Sequence, residues 1–203
     1  MKFILFLLVF YIGNAFSSDA LPECVNLQLN IHGEELAQVK SYLAGTTERK
    51  KYWPSKGILA AAINDLDYIK ESKDKEILFG AFYVALSSGR PNTNDLIALF
   101  SDINLRSKDD LTPLMMAINC NQVDTVKKII SLGGDVNLKV KDTGYDPLIL
   151  ATLTKNTNLV NLLINKGANC KKSNLSNGLT VLDVAKKMGT PAIENKIKEC
   201  INK

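Results

Sequence analysis

The sequence predicts an all-α solenoid of stacked helix–turn–helix units, and three observations carry that expectation. The first is a period. Thr112–Asn137, TPLMMAINCNQVDTVKKIISLGGDVN, is followed on the same template by Asp146–Lys171, DPLILATLTKNTNLVNLLINKGANCK, and then by Thr180–Gly189, TVLDVAKKMG. Leu114, Leu148 and Leu182 stand 34 residues apart, as do Ala117, Ala151 and Ala185. Self-similarity at that length marks units that stack because one alone cannot bury its apolar face. The second is punctuation. Pro113 and Pro147 open the first helices, where the missing N–H has no helical partner to lose, and Gly133 and Gly167 end the second ones. The third is the helical spacing of Val126, Ile129 and Ile130, and of Val160, Leu163 and Ile164.

Bulk properties agree with a packed chain. At 203 residues, 46% apolar and 23% charged, it is long enough for a substantial core, and wholesale disorder is excluded. The net charge of +4 is unevenly spread. Lys139–Lys203 carries 11 Lys against 5 Asp or Glu, a net +6 that leaves −2 for the remainder.

From the N-terminus, Met1–Ser17 reads as a secretory signal peptide. Lys2 is the positive head, Phe3–Ile12 an apolar run, and Ala15 and Ser17 sit at −3 and −1 of a cleavage site after Ser17, with a second option after Ala20. The apolar run, 10 residues long, is too short to span a bilayer, and no later stretch reads as a membrane span. Residues 18–56 form a lead-in, extended over Ser18–Asn30, with one amphipathic helix at Gly33–Gly45 on which Leu36, Val39, Tyr42 and Leu43 share a face. Thr46–Pro54 is a charged loop. Residues 57–203 form the repeat domain, clear over 110–203 and degenerate over 57–105. In the degenerate part, helices are expected at Gly57–Lys70 with a break at Asn64-Asp65, at Glu76–Leu86, and at Asp95–Phe100 capped by Asn94.

Cys24, Cys120, Cys170 and Cys200 all follow the cleavage site, and their even number suits an oxidising compartment. On the repeat template, Cys170 follows the second helix of one unit and Cys200 lies near the end of the second helix of the next. That favours a Cys170–Cys200 bridge and leaves Cys24 for Cys120, with four unpaired thiols as the alternative. There is no CxxC and no Cys/His cluster, so neither metal nor cofactor is expected.

The repeats resemble the ankyrin repeat family, whose pattern runs roughly TPLHLAAxxGHLEIVEVLLKxGADVN. Thr112–Asn137 and Asp146–Lys171 both fit without a gap; TVLDVAKKMG resembles the start of a terminal unit whose more polar second helix is Pro191–Ile201. The resemblance implies an ankyrin-repeat solenoid with hairpin-like loops, or fingers, between its units. The sequence departs from the family where Met115, Ile149 and Asp183 replace the usual His, and where Asp110 replaces a Gly kept at Gly144 and Gly178. Looser or differently tied loops follow from those departures.

The resemblance also implies where a partner binds, on the finger tips and the exposed face of each first helix. In this register the tips are Lys108, Asp109 and Leu111; Asp142, Thr143 and Tyr145; Ser176, Asn177 and Leu179. The helix positions are Asn119 and Cys120, Leu153 and Thr154, Lys187 and Met188. Leu111, Tyr145 and Leu179, again 34 apart, read as an exposed apolar column for another protein. Arg106, Lys108, Lys139, Lys141, Lys171 and Lys172 would give a basic rim suited to an acidic partner.

No catalytic pattern is present. His32 is the one histidine, no third group orients a Cys24–His32 pair, and no phosphate loop, HExxH, GxSxG or EF-hand loop occurs. A basic-aromatic platform for nucleic acid is also missing. The sequence therefore predicts a monomeric, non-enzymatic binding scaffold, periplasmic or secreted, with no membrane span in the mature chain. The alternatives are an inhibitor or immunity-type protein using the same face, and an enzyme with its site in the N-terminal half.

Overall fold

The computed structural model describes residues 33–46, 56–62, 65–89 and 92–203. They fall into two compact units, divided between Ser101 and Asp102. The expected leader Met1–Ser17, the lead-in Ser18–Asn30 with Cys24, His32, and the loop from Thr47 to Pro54 lie outside the described residues.

In the N-terminal unit, α1 (Gly33–Leu43) is followed by α2 (Lys56–Ala62), α3 (Leu66–Glu71), α4 (Lys75–Ser88) and α5 (Thr93–Ala98). The expected break near Asn64-Asp65 separates α2 from α3. Asp65 is the α3 N-cap, its carboxylate accepting from the Tyr68 N–H at 3.0 Å. Asp74 caps α4 through the Glu76 N–H, and Gly89, in the left-handed region at φ 63°, ends it at no steric cost. Helix α4 buries Ile77, Phe79 and the whole run Ala81–Leu86. A helix apolar on every side belongs at a centre, and α4 packs against α2, α3 and α5. Gly57 permits the closest of these approaches, since a Cβ there would lie 2.3 Å from the Ile77 carbonyl oxygen.

Asn94 is not the cap of α5. The cap of α5 is Asn92, and Asn94 lies inside the first turn, exposed to solvent. The helix thus starts earlier and stops at Ala98. Phe100, outside it, turns into the core and meets Phe79 and Phe82 edge-on at 5.1 and 5.4 Å between centroids, the favoured arrangement of aromatic quadrupoles.

The C-terminal unit contains three helix pairs: α6 (Pro113–Asn119) with α7 (Val123–Ser131), α8 (Pro147–Leu153) with α9 (Thr157–Asn165), and α10 (Val181–Lys187) with α11 (Pro191–Ile201). Helices α6, α8 and α10 pack in succession, and α9 packs on α11. Thr112, Asp146 and Thr180 cap the first helices, each accepting from the N–H of its helix's third residue. Leu114, Ala117, Leu148, Ala151 and Ala185 are buried and Leu182 is half-buried, so all but the last of the leucines that carry the period lie in the core. Left-handed residues recur with the same phase. Asn121, Lys155 and Gly189 turn the chain between paired helices; Gly133 and Gly167 end α7 and α9.

Candidate functional site

Between helix pairs the chain forms fingers. Their hairpins are closed by Ser107 N–H to Leu111 O, Val140 N–H to Tyr145 O, and Leu175 N–H to Leu179 O, at 2.8–2.9 Å. Asp110, Gly144 and Gly178 hold the left-handed corner in each, at φ 60°, 76° and 85°. Asp is among the few side chains that tolerate this corner. Gly144 is required twice over: a Cβ would also lie 2.7 Å from the Ser176 nitrogen of the next finger.

The ties between fingers take a route the family's histidine does not supply. Met115 and Ile149, at its positions, are buried core, while Asp183 forms a reciprocal capping box with Thr180. Arg106 instead donates to the Asp110 and Lys139 carbonyls at 3.1 and 3.0 Å and pairs with the Asp110 carboxylate at 2.9 Å. That carboxylate also accepts from the Lys141 N–H at 2.7 Å. Lys139 reaches the next finger, donating to Lys172 O, Asn174 O and Asn174 Oδ1. The Ser176 N–H donates to Thr143 O at 2.9 Å.

A second set of ties joins the turns after the second helices. Asn104 donates to Gly133 O and accepts from the Asp135 N–H; Asn137 repeats both bonds with Gly167 O and the Asn169 N–H, at 2.8–3.1 Å. The next position in that register is Lys171. Beside it, buried Cys170 is bonded to Cys200 of α11, with Cα atoms 6.1 Å apart, as the repeat template predicts. Cys120 is disulfide-bonded too; Cys24, its expected partner, lies outside the described residues.

Against this scaffold, the expected recognition residues separate into two sets. Lys108, Asp142, Asn177 and Lys187 are exposed, and Asn119, Leu153, Tyr145 and Leu179 are half-buried. Leu111 is only 7% exposed, so the apolar column is not an exposed stripe. Its first member packs into the core, and a partner cannot reach it without opening the finger. Cys120 is likewise buried and bonded, not a free surface position. The basic rim narrows as well: Arg106 and Lys139 are engaged in the finger ties, which leaves Lys108, Lys141, Lys171 and Lys172 exposed.

The titratable groups follow their surroundings. Burial pushes the Asp109 carboxyl up, against the opposing pull of neighbouring Lys108. It also raises Asp146, although the Ile149 N–H and the Ser173 hydroxyl favour its charged form. The Thr180 hydroxyl and N–H lower Asp183.

A model of the ankyrin repeats, in three copies, matches residues 58–174. The chain belongs to the ankyrin repeat family. The match reaches back through α2–α5, where the sequence repeat is faint, and stops before α10 and α11, which nonetheless carry the family's helix pair. Ankyrin repeats make the chain a protein–protein interaction scaffold. Among the described residues, no helix is long and apolar enough to cross a membrane, and no group of three or more His, Cys, Asp or Glu is placed to hold a metal ion.

Proposed function

We propose that this ankyrin-repeat chain is an exported, non-enzymatic recognition module. It binds another protein through the face formed by its finger tips and first helices. The observation that carries the reading is the contrast within that face. Lys108, Asp142, Asn177 and Lys187 reach solvent from fingers and helices whose backbones are tied to their neighbours. Side chains displayed on a fixed backbone lose little further freedom on binding, and such preorganisation favours affinity. Export is supported by the leader pattern of Met1–Ser17 and by the Cys170–Cys200 bond, which persists in an oxidising compartment. Exposed Lys108, Lys141, Lys171 and Lys172 favour a partner with acidic groups at its rim.

The test uses the chain from Ser18 as bait on the extracellular or periplasmic fraction of its source. A triple variant, K108E/D142K/K187E, serves as the control, because all three residues are exposed and the fold should survive. A specific partner is expected to lose at least about tenfold in affinity for the variant, the equivalent of 1.4 kcal/mol. Equal retention by both chains means that this face is not used. N-terminal sequencing of the recovered protein checks export separately, with Ser18 or Leu21 as the expected first residue.

A further inference from the structure

The joints of the C-terminal unit are made in two different ways. The turns at Asn104 and Asn137 are each tied to the next turn by a pair of side-chain hydrogen bonds. At the last joint the register places Lys171, whose ammonium group has no acceptor atom with which to take the backbone N–H. The Cys170–Cys200 bond spans that joint instead, and the loop it closes encloses α10 and all of α11 but its last residue. A terminal repeat contacts a neighbour on one side only, so its stability is its own plus a single interface. Here α10 and α11 rest on α8 and α9, and Val181, Val184, Ala185, Ile193 and Ile197 are their buried residues. The terminal helix pair is therefore held covalently as well as by packing on a single neighbour.

We propose that the Cys170–Cys200 bond is a redox latch on the terminal repeat. A dithiol reductant attacks one of the two sulfurs, forming a mixed disulfide and releasing the other cysteine. The reductant's second thiol then resolves the mixed disulfide. Cys170 and Cys200 leave as thiols, having gained two electrons and two protons, and the reductant leaves as a disulfide. Without the latch, α10 and α11 open locally while α6–α9 stay folded. Opening moves Lys187 and Met188 of the first-helix face out of register, so a chain passing from an oxidising to a reducing compartment gives up the end of that face. That these residues belong to a recognition face rests on the reading above; the release of α10 does not.

The experiment is hydrogen exchange on the full chain carrying C170S and C200S, which leaves the bond at Cys120 intact, beside the natural chain. Closing a loop of this size constrains the open state enough that protection of α10 and α11 should fall about 30- to 1,000-fold on its removal. Amides of α6–α9 should change by less than about threefold. Unchanged protection in α10 and α11 overturns the latch, as does a loss spread evenly over α6–α11. N137A is the companion variant. It loosens the preceding joint, should loosen α8–α11 together, and shows whether exchange resolves one joint from the next. If the double variant fails to fold, the bond is a global requirement and not a local latch. Failure of the recognition reading would appear separately, in the affinity of K108E/D142K/K187E.

Discussion

The two units hold their helices by opposite means. In the N-terminal unit α3 and α4 are separated only by Ser72-Lys73-Asp74. No room is left there for a finger, and stability rests on apolar packing around α4 and the Phe79–Phe82–Phe100 cluster. In the C-terminal unit, 15 residues separate α7 from α8 and again α9 from α10. Those residues build fingers and turns joined by polar side chains. Its first helices are short, and the long-range bonds from Asn104, Arg106, Asp110, Asn137 and Lys139 take up what the helices cannot. An apolar core is indifferent to where the surface points. A ladder of directional hydrogen bonds fixes the backbone that displays it, which is why the proposed recognition face falls on the fingered unit.

The strongest way to break the comparison is to cut the aromatic core. Phe82 is fully buried, and Phe82→Ala removes both its burial and its edge contact with Phe100, at a cost of about 3–5 kcal/mol. Hydrogen exchange should show protection lost through α2–α5 and largely kept in α6–α11. An equal loss in both halves would show that the two units share one stability and that the contrast between them is only geometric.

A smaller effect separates backbone strain from side-chain ties in the first finger. Asp110 sits at φ 60° and its carboxylate serves both Arg106 and the Lys141 N–H. Asp110→Gly relieves the backbone but gives up both ties, and should cost about 1–2 kcal/mol in denaturant titration. Asp110→Ala gives up the ties and keeps the strain, so it should cost about 1 kcal/mol more. If the glycine variant matches the natural chain, the two ties do no more than offset the strain of the left-handed corner.

These positions also show what a sequence reveals. The phase of 34 was legible because Leu114 and Leu148, with Ala117, Ala151 and Ala185, occupy a core that repeats, and half-buried Leu182 keeps the same register. It fades in the N-terminal unit for two physical reasons. Helices α2 and α3 match α6 and α7 at an offset of 57, since the missing finger breaks the period, and α4 is apolar all round and offers no face to read. In the candidate site, Lys108, Asp142, Asn177 and Lys187 were placed correctly as exposed by the repeat register. Leu111 was not, because a leucine reads the same on an open finger as on one folded into the core. Lys155 shows no sequence sign of its left-handed turn at φ 56°. The ladder from Asn104 to Asn137 was within reach, since DIN and GGDVN align, but only the structure shows the second partner of each side chain.

The smallest effect concerns a carboxylate that has no counterpart in the N-terminal unit: Asp146 is the one acidic residue buried among those described. It caps α8 and accepts from the Ser173 hydroxyl at 2.9 Å, yet burial outweighs these bonds and raises its pKa. In the window between the unfolded and the raised folded pKa, the native state holds the proton that the unfolded chain has released. Stability from this group is therefore fully present below the ordinary carboxylate pKa and is lost as pH rises through the folded one. Asp146→Asn keeps an equally good cap and an acceptor for Ser173, but has no charge to bury. The variant should match the natural chain near pH 3.5 and be slightly more stable at pH 7, and comparing the two proteins at each pH cancels every other titrating group. Asp146→Ala, by contrast, should cost about 1–3 kcal/mol at both, through the lost cap and the unpaired Ser173 hydroxyl. If the asparagine variant is weaker at pH 7, the charge itself is stabilising, and the polar ties of the fingered unit extend into its core.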